Sequence, residues 1–432
     1  MRKAWSTAEK LLLLSPLAFV ALVSGMWAWR ESRPKPKSIP KPSTVRFFRF
    51  SPDSQRLVVF STEDKSGRYK ARVLDAKGRA KICELTMPVF KAAGQVVHPG
   101  FFYRPSWSPD GTRIVAGYKD RSKGLSQIPT APSRNPLEND TGKFAVWNAQ
   151  TGALKGNFPY AVDNEDSKGP VTFSKNGARL IGEGNPFSFF DTQTGRRLEF
   201  LKSAPGWGRN PTFNEKQNLA AIFDNDMASL RVLDWKTKRV VWQNQHTPTT
   251  MKGWGDDVLA VTINQFVKGS EGDLLHIEHL SLWNSKTGQL RPFSPSIPST
   301  FDNLSFSPDG RTFAYTTFIY PTMRPKNRED WGYRVVVGDY QQNRTLWNFG
   351  GHIRPDTAQW SPDGKWLSVL NRDPNAKSPQ LLIFDRNGKI HFESNVQDQT
   401  HVWSPDSRRI ATPRELPGKT WDFDIIEVSQ KP

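Results

Sequence analysis

The chain has 432 residues, 36% of them hydrophobic, which is enough to bury a large core and excludes wholesale disorder. Sixteen Trp, 33 Pro and 31 Gly favour many turns over long helices, and a single Cys, Cys83, excludes both an intrachain disulfide framework and a Cys-based zinc cluster. Sixty Lys and Arg against 42 Asp and Glu leave a formal charge of +18. That charge favours anionic partners such as lipid headgroups, cell-wall polymers or nucleic acid, although without a run of bases in the body it also serves solubility alone.

Residues 1–10 form a short basic segment holding Arg2, Lys3 and Lys10. Residues 11–29, "LLLLSPLAFVALVSGMWAW", are 19 uncharged positions, long enough to cross a bilayer as a helix, with Trp27 and Trp29 where an interfacial belt would lie. This predicts an uncleaved membrane anchor. The competing reading is a secretory signal cleaved near Val23-Ser24-Gly25. Bases flank the span on both sides. The positive-inside rule taken literally keeps the body in the cytoplasm, whereas an export signal places it outside, and the extracytoplasmic placement is the one adopted. Residues 30–44 are charged and rich in Pro, which makes an extended stalk.

From residue 45 the chain is periodic. An aromatic-containing strand leads into a turn as "FRFSPDS" (48–54), "SWSPDG" (106–111), "TFSKNG" (172–177), "TFNEKQ" (212–217), "KGWGDD" (252–257), "SFSPDG" (305–310), "QWSPDG" (359–364) and "VWSPDS" (402–407). A short apolar strand follows each one. A third strand then ends in Asp, Asn or Glu before another turn, as in "AVWNAQTG" (145–152) and "SLWNSKTG" (281–288). The turn chemistry is explicit at Ser51, Pro52, Asp53; Ser108, Pro109, Asp110, Gly111; Ser307, Pro308, Asp309, Gly310; Ser361, Pro362, Asp363, Gly364; and Ser404, Pro405, Asp406. Pro presets φ at the first central position, Asp caps locally, and Gly takes the positive φ that follows. Eight first strands match eight third strands at spacings of about 40 to 66 residues, the period of propeller blades. The fold class is therefore all-β, a single eight-bladed β-propeller over residues 45–432, its last blade three-stranded because Pro36, Pro40 and Pro42 make a poor closing strand.

These units resemble WD-repeat-like propellers, particularly the variety with SPDG turns found in TolB-type and related bacterial proteins. The resemblance runs over nearly the whole chain beyond the stalk. It implies the fold and says little about function. Units three to five lack a full SPDG, the WD dipeptide is replaced by "VWN", "LWN", "FFD" or "IFD", and "GH" occurs only at Gly351-His352.

The uniform turns share one face of such a blade, and the variable connections share the other. Long connections are expected at 86–105, 119–143, 159–170, 202–210, 264–279 and 319–332. Binding concentrates on such loops, and this face is predicted to carry Phe101, Phe102, Tyr103, Arg104, Trp207, Arg209, Tyr320, Arg324, Lys326, Arg328 and Trp331. Aromatic and basic residues also staple long loops, which is the alternative for all of them. No nucleophile elbow, phosphate loop or metalloprotease helix is present. "LHIEH" (275–279) puts His276 and Glu278 on one strand face and His279 on the other, a weak metal site against a solvated loop strand. "DNEDSKG" (163–169) fails the EF-hand spacing, and no cofactor is expected. The reading is a non-enzymatic, membrane-tethered scaffold for another protein or an anionic polymer. Its rivals are a hydrolase or lyase at the central channel and a binder of nucleic acid or another polyanion through a basic face.

Overall fold

The computed structural model describes residues 43–63, 68–77, 80–92, 95–97, 99, 101–120, 141–159, 170–182, 187–201, 212–223, 229–244, 248–268, 274–293, 299–319, 332–350, 355–372, 378–396, 401–416 and 420–428. The basic segment, the expected anchor and most of the stalk lie outside them.

Eight antiparallel meanders follow one another along the chain. Blade 1 runs Ser43–Phe50, Arg56–Glu63, Arg68–Asp75 and Lys81–Glu84, each strand pairing with the next. Six more sheets repeat this order, with Leu154–Pro159, Arg197–Leu201, Val240–Asn244, Leu290–Pro292, Arg344–Gly350 and Ile390–Asn395 as their fourth strands. Blade 8 holds three strands among the described residues, Val402–Trp403, Arg409–Leu416 and Thr420–Glu427. The all-β class, the eight blades and the three-stranded last blade are all as the repeats predict.

There is no single core. Eight apolar clusters each join two neighbouring blades, and the last of them joins blade 8 to blade 1 through Ala411 and Phe423 packed against Phe48, Phe50, Leu57 and Val59. Each fully buried side chain of this kind contributes about 1.5–3 kcal/mol. An isolated blade would expose both faces, so stability depends on the closed ring. The aromatic residue just before each turn supplies part of these layers: Phe50, Trp107, Phe173, Trp360 and Trp403 are buried. The Trp107 indole donates to the Arg49 carbonyl of the preceding blade at 3.1 Å.

Two connections differ from expectation. Residues 264–279 are not a loop over most of their length, because Val258–Lys268 and Leu274–Asn284 pair continuously from Val258↔Asn284 to Lys268↔Leu274. Residues 86–105 contain a small hairpin, Phe90–Ala92 with Gln95–Val97, and then the first piece of the blade 2 inner strand. That strand comes in two parts, Phe101–Phe102 and Ser106–Trp107, both paired with Arg113–Asp120. Pro105 lies between them and has no N–H to give to the ladder.

Candidate functional site

The turns form a self-contained layer. In blade 7 the Ser361 hydroxyl donates to the Asp363 carboxylate at 2.7 Å and accepts from the Trp366 N–H at 3.0 Å, while Asp363 accepts from the Lys365 N–H at 3.1 Å. The same pattern recurs at Ser108, Ser174 and Ser404, with Asn176 replacing Asp in blade 3. The hydrogen bond from Ser108, followed by the Thr112 amide, holds the Asp110 carboxyl down at about 2. The serine is thus half of the turn, a role the Pro-Asp-Gly reading overlooked. Its recurrence in six of the eight units was the available signal.

The third-to-fourth strand turns lie on the same face, where the Ala149 N–H donates to Thr112 and the Ser285 N–H to Asp257. Neighbouring turns also interlock. Arg56 donates to the Gly111 carbonyl at 2.9 Å, and Arg386 donates to Gly364 at 2.7 Å while pairing with Asp309 at 2.8 Å. The polar groups of this face are largely consumed by one another.

The channel is walled by the innermost strands, whose side chains alternate. Residues one and three before the turn serine pack between blades. Those two and four before it face the channel. Two before the turn stand Arg49, Ser106, Thr172, Thr212, Ser305, Gln359 and Val402 in blades 1, 2, 3, 4, 6, 7 and 8. Arg49 is the one charged residue among them. Four before it stand Phe47, Arg104, Asn303 and Thr357 in blades 1, 2, 6 and 7. These residues, with Arg46 and His401, border a cavity of about 400 Å³ between blades 1, 2, 6, 7 and 8. Its described lining contains three guanidiniums and one imidazole but no carboxylate. A second recess of about 620 Å³ lies among blades 3 to 6, beside the turns that depart from SPDG. In its lining Lys216 pairs with Asp256 at 2.8 Å, and the Glu215 carboxylate accepts from the Lys175 backbone N–H at 2.8 and 3.0 Å.

Of the residues expected on the variable face, Phe102 is wholly buried against Phe60, Tyr69, Tyr118 and Trp147. It is core, not partner-binding surface, because pairing with Tyr118 turns its ring between blades 1 and 2. Arg104 is exposed and lines the channel cavity, and the Tyr103 N–H is held by Gly117 at 2.8 Å. Phe101 belongs to the inner strand of blade 2. Trp207, Arg209, Tyr320, Arg324, Lys326, Arg328 and Trp331 lie outside the described residues, as does 163–169. Glu278 of "LHIEH" sits 3.9 Å from Lys252 Nζ, an ion pair. No metal-holding group of His, Cys, Asp and Glu occurs among the described residues.

Fold and channel together define an eight-bladed β-propeller with a basic cavity bordered by the inner strands of blades 1, 2, 6, 7 and 8. No family model and no curated protein matches the chain in sequence. Among solved structures it is similar to the crystal structure of a eukaryotic initiation factor, at 14% identity and a TM-score of 0.54, covering 92% of each chain. It is also similar to the Cps50 (Swd1) β-propeller domain of Myceliophteria thermophila, at 11% identity and a TM-score of 0.45, covering 90% of this chain and 97% of that one. At these identities the likeness is one of fold alone.

Proposed function

We propose that the chain is a non-enzymatic binding scaffold, its propeller tethered to a membrane through residues 11–29 and held outside the cytoplasm. One observation carries the scaffold reading: the turn face uses its own polar groups in turn-to-turn hydrogen bonds, as at Arg56 to Gly111 and Arg386 to Gly364. Such a face presents nearly the same small surface in every blade, and discrimination between partners falls to the opposite face, where the connections differ in length, charge and aromatic content. The cavity between blades 1, 2, 6, 7 and 8 supports the non-enzymatic reading, since its described lining has one histidine and no carboxylate to work as an acid–base pair.

The test is capture of a partner from native membranes, followed by two variants. Replacing Arg324, Lys326, Arg328 and Trp331 together is expected to weaken partner binding without unfolding the propeller. Replacing Lys365, which is exposed beside the blade 7 turn, is expected to leave it unchanged. Binding that survives the first change and is lost with the second reverses the assignment of faces. Retention on heparin that falls steeply with salt would instead favour the polyanion reading.

A further inference from the structure

Two departures from the blade pattern meet at the seam of the ring. Arg49 occupies a channel position that holds Ser, Thr, Gln or Val in the six other blades compared above. His401 occupies the position three before the turn, where blades 1, 2, 3, 6 and 7 have Phe48, Pro105, Val171, Leu304 and Ala358. Blades 1 and 8 are neighbours, so both residues border the same cavity, with Arg104 contributed by blade 2.

Several arginines near the blade seams are paired with carboxylates. Arg56 pairs with Asp53, Arg311 with Asp339, Arg386 with Asp309, Arg409 with Asp406 and Arg414 with Asp422 and Asp424. Arg46, Arg49 and Arg104 have no ion pair and no side-chain hydrogen bond among the described residues. Instead, burial and then the like charge of Arg104 push Arg49 down to about 10. Arg46 and Arg104 are exposed and Arg49 is half-buried, and an anion in the cavity would offset the desolvation of Arg49 and the like charge beside it.

His401 adds a second recognition element. It is 7% exposed, and its Nε2 lies 2.6 Å from the Ser368 hydroxyl. That hydroxyl donates to the Gln359 carbonyl at 2.9 Å and accepts from the Trp403 indole at 2.8 Å. Its single proton is thereby used, which assigns Nε2 as the donor and leaves Nδ1 as a bare acceptor. Among the described residues Nδ1 is buried without a hydrogen-bond partner, and so is the hydroxyl of Thr357, another residue lining the cavity.

We propose that the channel cavity bounded by Arg46, Arg49, Arg104, Thr357 and His401 binds a small oxyanion, a carboxylate or a phosphate, that also carries a hydroxyl group. The guanidiniums take the anion through forked charge-assisted hydrogen bonds, and Nδ1 of His401 accepts from the ligand hydroxyl. A space of about 400 Å³ suits a small metabolite and excludes a folded domain.

The experiment is calorimetric titration of the full-length protein in detergent with citrate, with tricarballylate (citrate without its hydroxyl) and with glycerol phosphate, against chloride at matched ionic strength. Citrate or glycerol phosphate is expected to bind saturably, and which of them does so identifies the carboxylate or the phosphate source. R49M and R104M are each expected to weaken binding by about tenfold to a hundredfold. Tricarballylate is expected to bind more weakly than citrate, and equal affinity would overturn the hydroxyl assignment. Should R49M fail to fold, the exposed Arg104 decides through R104M. No saturable binding by any of the three, or binding undiminished in R104M, overturns the proposal.

Discussion

The backbone N–H of Asp406 donates to the hydroxyl of Ser54 at 2.9 Å, joining residues 352 positions apart and locking the turn of blade 8 to that of blade 1. The Arg409 guanidinium reinforces this lock by donating to the Ser54 carbonyl, as Arg56 does to Gly111 one blade further on. Asp363 and Ser407 repeat the N–H to hydroxyl contact between blades 7 and 8, also at 2.9 Å. Serine replaces the usual glycine at both positions despite φ values of 60° and 59°. The ring is therefore closed by side chains and an apolar layer, while its last sheet has three strands among the described residues.

Ser54→Ala keeps the left-handed backbone strain and strands the Asp406 amide, and is expected to lower unfolding free energy by about 1–2 kcal/mol. Ser54→Gly loses the same hydrogen bond but relieves a strain of similar size, so its stability should stay near that of the wild type. R409M removes a guanidinium that is 4% exposed and should cost about 2–3 kcal/mol. Urea unfolding of the three variants checks this order, and a Gly variant weaker than the Ala variant contradicts it.

Glycines at positive φ separate strain from crowding. Gly288 (φ 69°) has open space around an added Cβ, so Gly288→Ala is expected to cost only the backbone term, about 1 kcal/mol. At Gly364 (φ 68°) an added Cβ would lie 2.8 Å from Arg386 Nη2, 3.0 Å from Ser307 Oγ and 3.3 Å from Pro308 Cδ. Gly364→Val should therefore be distinctly more destabilising, because it also disturbs the lock to blade 6. Equal melting temperatures for the two variants would remove the crowding argument.

Burial pushes His401 down to about 4, whereas an unfolded chain binds the proton near 6.5. Between those values the unfolded state binds more protons, so stability is fully present above pH 6.5 and is lost as pH falls towards 4. The contribution is about 3 kcal/mol, by the usual 1.36 kcal/mol per pKa unit. His401→Gln removes the titrating group and should flatten stability across this window. Thermal melts of both proteins from pH 7 to pH 4 give the comparison, and an unchanged pH slope in the variant excludes the histidine as its source.

The expected anchor has a simple readout. Full-length protein should pellet with membranes after a carbonate wash, while a chain beginning at Lys41 should stay in the supernatant. Recovery of a mature chain lacking residues 1–25 would establish cleavage instead.

The repeat count, the meander order and the chemistry of each turn were already decided by the sequence, because a turn is a local event. Ser361, Asp363 and Gly364 close their turn by hydrogen bonds within six residues, and the turn serine recurs in six of the eight units. Alternation likewise marked Phe50, Trp107 and Trp403 for the layers between sheets. Only the tertiary structure decided what the channel contains. Arg49, Arg104 and His401 share a cavity because eight sheets close into a ring, and no short-range rule places blade 8 beside blade 1. Phe102 shows the same limit at a smaller scale: in a Pro-flanked connection it reads as surface, yet its pairing with Tyr118 carries it into the core. Local chemistry set the repeating parts, and long-range closure set their juxtaposition, since burial and charge pairing depend on which distant side chains arrive opposite one another.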